Sequence, residues 1–187
     1  LPTLCRRAIT GTGANLRDDD IQRMAGIITR YYQVHRLDKT APFPGMRELL
    51  DAMTARGVPF AVLSNKPHEH TLPMIRALFP RWTFAAVEGY REEDRRKPDP
   101  RTALEIAVRM TVAPANVLMV GDSLTDIVTG LAAGMVPVGA TWGYRSRQEL
   151  IDAFSLEGIN RANAVVNFKE TGVGSGASPV YLEETFD

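Results

Sequence analysis

The ten residues Val117-Leu-Met-Val-Gly-Asp-Ser-Leu-Thr-Asp126 constrain the fold more than any other segment of the chain. Four consecutive apolar residues predict a buried parallel strand, which ends at Gly121. From Leu124 onward apolar residues recur with helical spacing, so a helix is predicted to begin within a residue or two. A strand followed directly by a helix is the unit from which open α/β sheets are built.

Two carboxylates, Asp122 and Asp126, follow this predicted strand at its carboxyl end, where open α/β sheets bind ligands. Carboxylates one helical turn apart suit a hard cation such as Mg²⁺, which takes one or two carboxylates together with substrate phosphate. The alternative makes Asp122 a helix cap and Asp126 a first-turn acid that complements the helix dipole. This segment alone does not choose between the two interpretations.

A second strand end carries Ser64 and Asn65, which close the apolar run that begins at Val58. A hydroxyl, an amide and the backbone N–H groups of a strand-to-helix turn can together hold phosphate oxygens. The alternative is an ordinary Ser/Asn turn without a ligand. Other motifs in the chain must therefore decide between a phosphate site and a plain turn.

A third motif, Arg95-Arg-Lys-Pro-Asp-Pro100, places Lys97 just before a predicted helix. Pro100 suits the first turn of that helix, and Asp99 suits its cap. The position of the lysine is thus restricted by the two prolines that follow it. The alternative is a solvated loop charge, which is the usual environment of lysine.

In this order, Ser64-Asn65, Lys97-Pro-Asp-Pro100 and Gly121-Asp-x-x-x-Asp126 resemble the motifs of the haloacid dehalogenase-like (HAD) superfamily, and of its phosphoglycolate phosphatase branch. The resemblance covers roughly residues 1–168. It implies an α/β fold, namely a three-layer Rossmann-like core with a parallel sheet and a small helical cap. It also implies a Mg²⁺-dependent phosphatase that acts on a small phosphomonoester, with 2-phosphoglycolate as the best single candidate.

The resemblance assigns roles to five residues. It implies that Ser64, Asn65 and Lys97 bind phosphate and take part in catalysis, with Lys97 stabilising charge. It further implies that Asp122 ligates Mg²⁺ and that Asp126 lies close to the metal. The reaction would pass through an aspartyl-phosphate.

The nucleophile that such a reaction requires is not among these 187 residues. The family's Asp-x-Asp-Gly-Thr motif has no counterpart here, since no apolar strand precedes Asp18-Asp-Asp20 and no Gly-Thr follows it. Those three acids instead begin a helical pattern, where they favour the amino terminus. Because the chain also begins at Leu1 rather than methionine, we expect an N-terminally truncated fragment that lacks its first, central strand.

The pattern along the chain predicts two domains, a partial helical cap over residues 1–41 and the core over 42–187. By resemblance, Gly11-Thr-Gly13 matches the place where such caps present a substrate-selecting loop, and the alternative is a simple helix–helix turn. We predict core helices at 46–56, 69–79, 101–110 and 124–133, and strands at 59–63, 84–87, 117–120, 136–140 and 164–168. Gly57 and Gly134 are predicted to end helices, and Ser146 with Glu149 to form a capping box. The tail 171–187 carries little periodicity.

Composition excludes several classes of function. Lysine plus arginine equal aspartate plus glutamate at 22 each, which gives no argument for a nucleic-acid partner. No apolar stretch approaches the ~20 residues that span a bilayer. Cys5 is the only cysteine, which fits a cytoplasmic protein. We therefore expect a small phosphomonoester as partner, no membrane, and a monomer or homodimer.

Other functions stay open at this point. Related caps serve other small sugar phosphates, and a protein that truly began near Leu1 would be a catalytically inactive phosphate-binding or interaction module. A phosphoryl-receiving signalling domain shares the acidic strand ends but has no place for the Ser64-Asn65 turn. A cofactor-free dehalogenase of the same superfamily fits the Gly121–Asp126 spacing less well than a Mg²⁺ phosphatase.

Overall fold

The computed structural model describes residues 2–10, 17–156 and 165–166. The chain divides into two compact units, Leu1–Ala41 and Pro42–Asp187. We take the first unit to be the partial cap and the second to be the core, and these assignments stay predictions.

The first unit contains two helices, α1 (Pro2–Thr10) and α2 (Asp18–His35). Helix α2 begins at the three acids, whose charge complements the positive end of the helix dipole. Ile21 and Ala25 of this helix bury their side chains together with Cys5. The predicted Gly11-Thr-Gly13 loop lies outside the described residues.

The second unit alternates strands and helices. In chain order it contains α3 (Met46–Ala55), β1 (Ala61–Pro67), α4 (His68–Leu78), β2 (Ala86–Tyr90), α5 (Arg101–Met110), β3 (Leu118–Gly121), α6 (Leu124–Ala132), β4 (Val136–Ala140), α7 (Arg147–Leu156) and β5 (Val165–Val166). All three strand pairs, β1–β2, β3–β4 and β4–β5, are parallel. The α/β class with parallel strands is thus confirmed.

The strands form two sheets rather than one, with the orders β1-β2 and β3-β4-β5. Among the described residues no ladder joins β1 to β3. Both strands nevertheless contribute to one apolar core, because Leu63 of β1 and Met119 of β3 pack against the same buried cluster, which consists of Ala103, Ala107, Ala133 and Met135. This cluster therefore links the two sheets through apolar contacts. The central strand that the resemblance implies stays a prediction.

The ends of β1 and β2 differ most from the predicted bounds. Strand β1 continues to Pro67 and β2 continues to Tyr90, each beyond its apolar run. The added residues pair with one another, since Ser64 is opposite Gly89 and Pro67 is opposite Tyr90. Apolar patterning identifies buried side chains, whereas backbone pairing sets where a strand ends. The predictions for α5 and β4 are confirmed to the residue.

Local signals located the helix ends well. Gly57 and Gly134 adopt φ values of 64° and 66°, the left-handed conformation that ends a helix. Ser146 and Glu149 form the predicted capping box, in which the Ser146 N–H donates to Glu149 Oε2 at 2.9 Å. The N-cap position of α5 belongs to Pro100 and not, as predicted, to Asp99. Asp99 Oδ1 still accepts the N–H of Arg101, the first residue of the helix, at 2.9 Å.

A buried carboxylate fastens β2 to its neighbours. Glu88, only 4% exposed, accepts hydrogen bonds from Arg91 Nη1 at 2.6 Å and from Arg109 of α5. His68 Nδ1 of α4 lies 3.4 Å from the same carboxylate. Burial alone would raise the pKa of Glu88, but the hydrogen bonds and charges of Arg91 and Arg109 outweigh it and hold that pKa below its ordinary value.

We expect Glu88→Gln to lower the free energy of unfolding by about 1–3 kcal/mol at pH 7, because two charge-assisted hydrogen bonds are weakened. Since the folded state depresses the pKa of Glu88, its stabilisation is complete above the unfolded value of 4.5 and is lost as pH falls through the folded value. Urea unfolding between pH 7 and pH 3 should show a steeper acid loss for the parent than for the variant. Glu48→Gln, at an exposed glutamate of α3, is the control, and equal pH profiles for the parent and Glu88→Gln would contradict the assignment.

Candidate active site

The amine of Lys97 is held between a strand end and a helix start. Its Nζ donates to the Leu63 carbonyl of β1 at 3.0 Å and to Asp126 Oδ1 of α6 at 2.5 Å. The side chains of Lys97 and Asp126 are only 12% and 8% exposed. Lys97 is therefore a largely buried partner in an ion pair and not a solvated loop charge.

Asp126 is held from its other side by the first turn of its own helix. Ser123 Oγ donates to Asp126 Oδ2 at 2.6 Å, and the Ser123 backbone N–H donates to the same oxygen at 3.2 Å. Ser123 is thus the cap of α6, and the alternative in which Asp122 caps the helix is wrong. Ser123 is not among the residues predicted from the sequence, although a serine three residues before an acid is a capping-box signal.

Asp122 lies just beyond β3 and is free of the capping role. Its Oδ2 accepts the Tyr144 backbone N–H at 2.7 Å. The backbone approaches so closely that a Cβ at Gly143 would lie 2.2 Å from Asp122 Cβ. The loop after β4 therefore fixes the orientation of the Asp122 carboxylate. Gly143 and Tyr144 are not among the residues predicted from the sequence, where their one signal is a position just after a predicted strand.

Ser64 and Asn65 make contacts of different kinds. Ser64 Oγ accepts the Lys66 N–H at 3.1 Å, which is a local turn contact. Asn65 instead reaches the backbone of Lys97: its Oδ1 accepts the Lys97 N–H at 2.8 Å and its Nδ2 donates to the Lys97 carbonyl at 2.9 Å. The structure thus joins Asn65, Lys97 and Asp126 by direct hydrogen bonds. Ser64 is the chain neighbour of Asn65, and Asp122 lies one helical turn before Asp126.

Two glycines make these approaches possible. A Cβ at Gly121 would lie 2.2 Å from Asp126 Cγ, and a Cβ at Gly89 would lie 2.4 Å from the Lys66 carbonyl oxygen. The second contact coincides with a register shift in β1 between Ser64 and Pro67. Irregularities of this kind re-aim side chains at functional sites, and a glycine inside a strand often marks them.

The donor set suits Mg²⁺ only in part. Within residues 2–10, 17–156 and 165–166, no three or more His, Cys, Asp or Glu side chains cluster as a metal site. Asp122 offers a hard carboxylate oxygen beside the one bound to Tyr144, which fits an ion that takes one or two carboxylates plus phosphate and water. Both oxygens of Asp126 are already engaged by Lys97 and Ser123.

Comparison with known proteins covers all the side chains that the sequence predicts for the site. The model of a family described as haloacid dehalogenase-like hydrolase matches residues 5–134. The chain belongs to this family. Every predicted site residue, from Ser64 to Asp126, lies within the matched segment.

Several curated relatives are phosphoglycolate phosphatases. The enzyme of Escherichia coli (strain K12) is 35% identical over 127 residues, which are 68% of this chain and 50% of that one. The enzyme of Nitrosospira multiformis is 32% identical over 150 residues, 80% of this chain and 66% of its own. The chain thus spans about half the length of the E. coli relative, and its similarity places it in the phosphoglycolate phosphatase-like branch.

Solved structures agree on the fold. A crystal structure of a predicted phosphoglycolate phosphatase from Haemophilus somnus superposes with a TM-score of 0.74 at 26% identity, over 82% of this chain and 70% of that one. A β-phosphoglucomutase from Clostridium difficile, at 21% identity and a TM-score of 0.61 over 81% of this chain and 62% of its own, shows the fold alone.

Among the described residues, none of the helices has the length and the apolar character that a membrane span requires.

We expect Gly121→Ala to destabilise the protein by about 1–3 kcal/mol, since the added methyl group overlaps Asp126 and forces that carboxylate away from Lys97. Thermal unfolding followed by circular dichroism measures the change. Gly26→Ala in α2 is the control, because its Cβ would meet only the tip of Arg30 at 3.6 Å and alanine favours a helix. Equal unfolding temperatures for Gly121→Ala and the parent would show that the carboxylate has room to move.

Proposed function

We propose that the protein carrying these residues hydrolyses a small phosphomonoester, with 2-phosphoglycolate as the expected substrate. The observation that carries the proposal is the buried Lys97–Asp126 pair beside Ser64 and Asn65 at the end of β1. The phosphoglycolate phosphatases among its relatives support the choice of substrate. The chain spans about half of the E. coli relative, so the activity is proposed for the whole protein.

The side chains at the end of β1 suit a phosphoryl group. Lys97 supplies a positive charge that Asp126 holds in place, and that charge can balance negative charge on the phosphoryl oxygens during transfer. The Ser64 hydroxyl accepts the Lys66 N–H, so its own O–H remains able to donate to a phosphate oxygen. We propose both residues as phosphate ligands and Lys97 as the charge-stabilising group.

We propose that the metal binds at the carboxyl end of β3. Bound Mg²⁺ would neutralise phosphate charge and polarise a phosphoryl oxygen. We propose Asp122 as its ligand. The Tyr144 N–H donates to one oxygen of this carboxylate, which leaves the second oxygen for the metal. Asp126 lies close by and acts by holding Lys97. By resemblance, the attacking carboxylate belongs to the Asp-x-Asp-Gly-Thr segment, which these 187 residues do not contain.

The isolated 187-residue chain is predicted to have no appreciable phosphatase activity. Removing a nucleophile that acts as a unit with its neighbours costs on the order of 10⁴–10⁶ in rate. Phosphate release from 2-phosphoglycolate with Mg²⁺ should be compared for this chain and for the complete gene product. Robust turnover by the isolated chain would mean that the nucleophile lies among its own carboxylates. An inactive gene product that still binds inorganic phosphate would favour the second candidate, a phosphate-binding module.

In the active gene product, Lys97→Met should lower kcat by at least ~10²-fold, comparable to removing one preorganised stabilising donor. The methionine keeps the length and loses the charge, so the carboxylates and phosphate are left uncompensated. Steady-state kinetics with 2-phosphoglycolate and other small phosphomonoesters provide the measurement. Lys39→Met, at an exposed lysine, should leave kcat unchanged. Near-normal kcat and kcat/KM for Lys97→Met would refute the catalytic role.

Gly143→Ala should raise the Mg²⁺ concentration needed for half-maximal activity by about tenfold or more, since the loop and Asp122 cannot both keep their positions. Gly26→Ala is the control, because its Cβ has room and its backbone is helical, unlike the left-handed backbone of Gly134. Activity is titrated with Mg²⁺ at saturating substrate. An unchanged Mg²⁺ requirement would remove Asp122, as held by this loop, from the metal site.

A further inference from the structure

We propose that the Asn65 side chain is a positioning residue for Lys97 and does not itself bind the substrate. The inference rests on the proposed function, because it concerns the lysine to which that function assigns charge stabilisation. It departs from the sequence-based expectation that Asn65 binds phosphate with its amide. The reason is that both the oxygen and the nitrogen of the amide are hydrogen-bonded to the backbone of Lys97.

The Asn65 amide makes a two-point contact with one residue of a distant loop. Its oxygen accepts the Lys97 N–H at 2.8 Å, and its nitrogen donates to the Lys97 carbonyl at 2.9 Å. The two residues are 32 positions apart in the chain. One hydrogen bond would fix a distance, whereas two bonds to the same residue also fix the rotation of its backbone. The direction in which the Lys97 side chain leaves the loop is therefore set by Asn65.

The amine of Lys97 returns to the same strand. Its Nζ donates to the carbonyl of Leu63, two residues before Asn65. The lysine is thus held against β1 at its backbone and again at the tip of its side chain. Lysine has a flexible four-carbon stem that can spread its charge over many positions. A fixed backbone limits where the amine can lie and so favours its contact with Asp126.

The loop that carries Lys97 is also attached by contacts that do not involve Asn65. Arg101 of α5 donates to the Asp94 carbonyl and to Asp99, and Arg96 lies over the Tyr90 ring. These contacts join the loop to itself, to α5 and to the end of β2. Asn65 and the Leu63 carbonyl supply its hydrogen bonds to β1. Loss of the Asn65 amide would therefore release the backbone of Lys97 from β1 while leaving the rest of the loop attached.

A direct test follows the Lys97 amine itself by NMR of ¹⁵N-labelled lysine ammonium groups. The chain has lysine only at positions 39, 66, 97 and 169, so Lys97→Met assigns the resonance. We expect that resonance to shift and broaden in Asn65→Ala and to stay unchanged in Asn116→Ala, a control at an exposed asparagine. A Lys97 resonance that is the same in Asn65→Ala as in the parent overturns the proposal.

A kinetic cycle on the complete gene product separates positioning from substrate contact. If Asn65 acts through Lys97, Asn65→Ala should lower kcat by about tenfold or more, leave KM within about threefold, and cost little further in the Lys97→Met background. If Asn65 instead contacts phosphate, KM should rise and the two losses should multiply. That second outcome overturns the proposal.

Asn65→Asp provides the conservative variant and a safeguard against misfolding. It keeps the size and the acceptor for the Lys97 N–H but cannot donate to the Lys97 carbonyl, so its effects should lie between those of the parent and Asn65→Ala. If circular dichroism shows Asn65→Ala unfolded, both measurements use Asn65→Asp. The NMR result needs no turnover, so a gene product inactive on every phosphomonoester refutes the proposed function while the positioning role is still decided. An unchanged resonance in an active enzyme refutes the positioning role alone.

Discussion

The second unit depends on one buried ion pair, Lys97 with Asp126. Removing two charges from water is costly unless attraction and further hydrogen bonds offset the loss of hydration. Here the Leu63 carbonyl accepts a second hydrogen bond from the amine, and Ser123 Oγ donates to the second carboxylate oxygen. Loss of either partner would leave the other charged and buried. The pair is therefore a structural constraint that lies at the proposed active site.

The same pair couples the two sheets. Leu63 belongs to the β1–β2 sheet, and Asp126 follows the first strand of the β3–β4–β5 sheet. No strand pairing joins the two sheets among the described residues, so they are connected by this polar contact and by apolar packing on one shared buried cluster. The polar groups lie at strand ends, where parallel sheets place their ligand sites. Stability and the proposed chemistry thus depend on the same few atoms.

The proposed site has two parts, each at the end of a strand. Ser64 at the end of β1 and Lys97, which is held against that strand, are proposed to bind phosphate. Asp122 after β3, held by the loop after β4, is proposed to bind the metal. Glycines at 89, 121 and 143 permit the close approaches that bring these parts into place. In the HAD family to which the chain belongs, loops and turns of this kind supply function to a common scaffold. In the proposed reaction, these side chains orient the phosphoryl group and balance its charge.

Sequence alone determined what depends on neighbours along the chain. Helix ends at Gly57 and Gly134, the Ser146–Glu149 box and the α/β alternation follow from local backbone preference and apolar periodicity, and the order of three motifs led to the family. Tertiary structure alone decided the contacts between distant segments. These are the pairs Asn65–Lys97, Asp122–Tyr144 and Glu88–Arg109, and the extension of β1 beyond its apolar run. Such contacts join residues 21 to 32 positions apart, and no local pattern specifies which polar groups will meet when the chain folds.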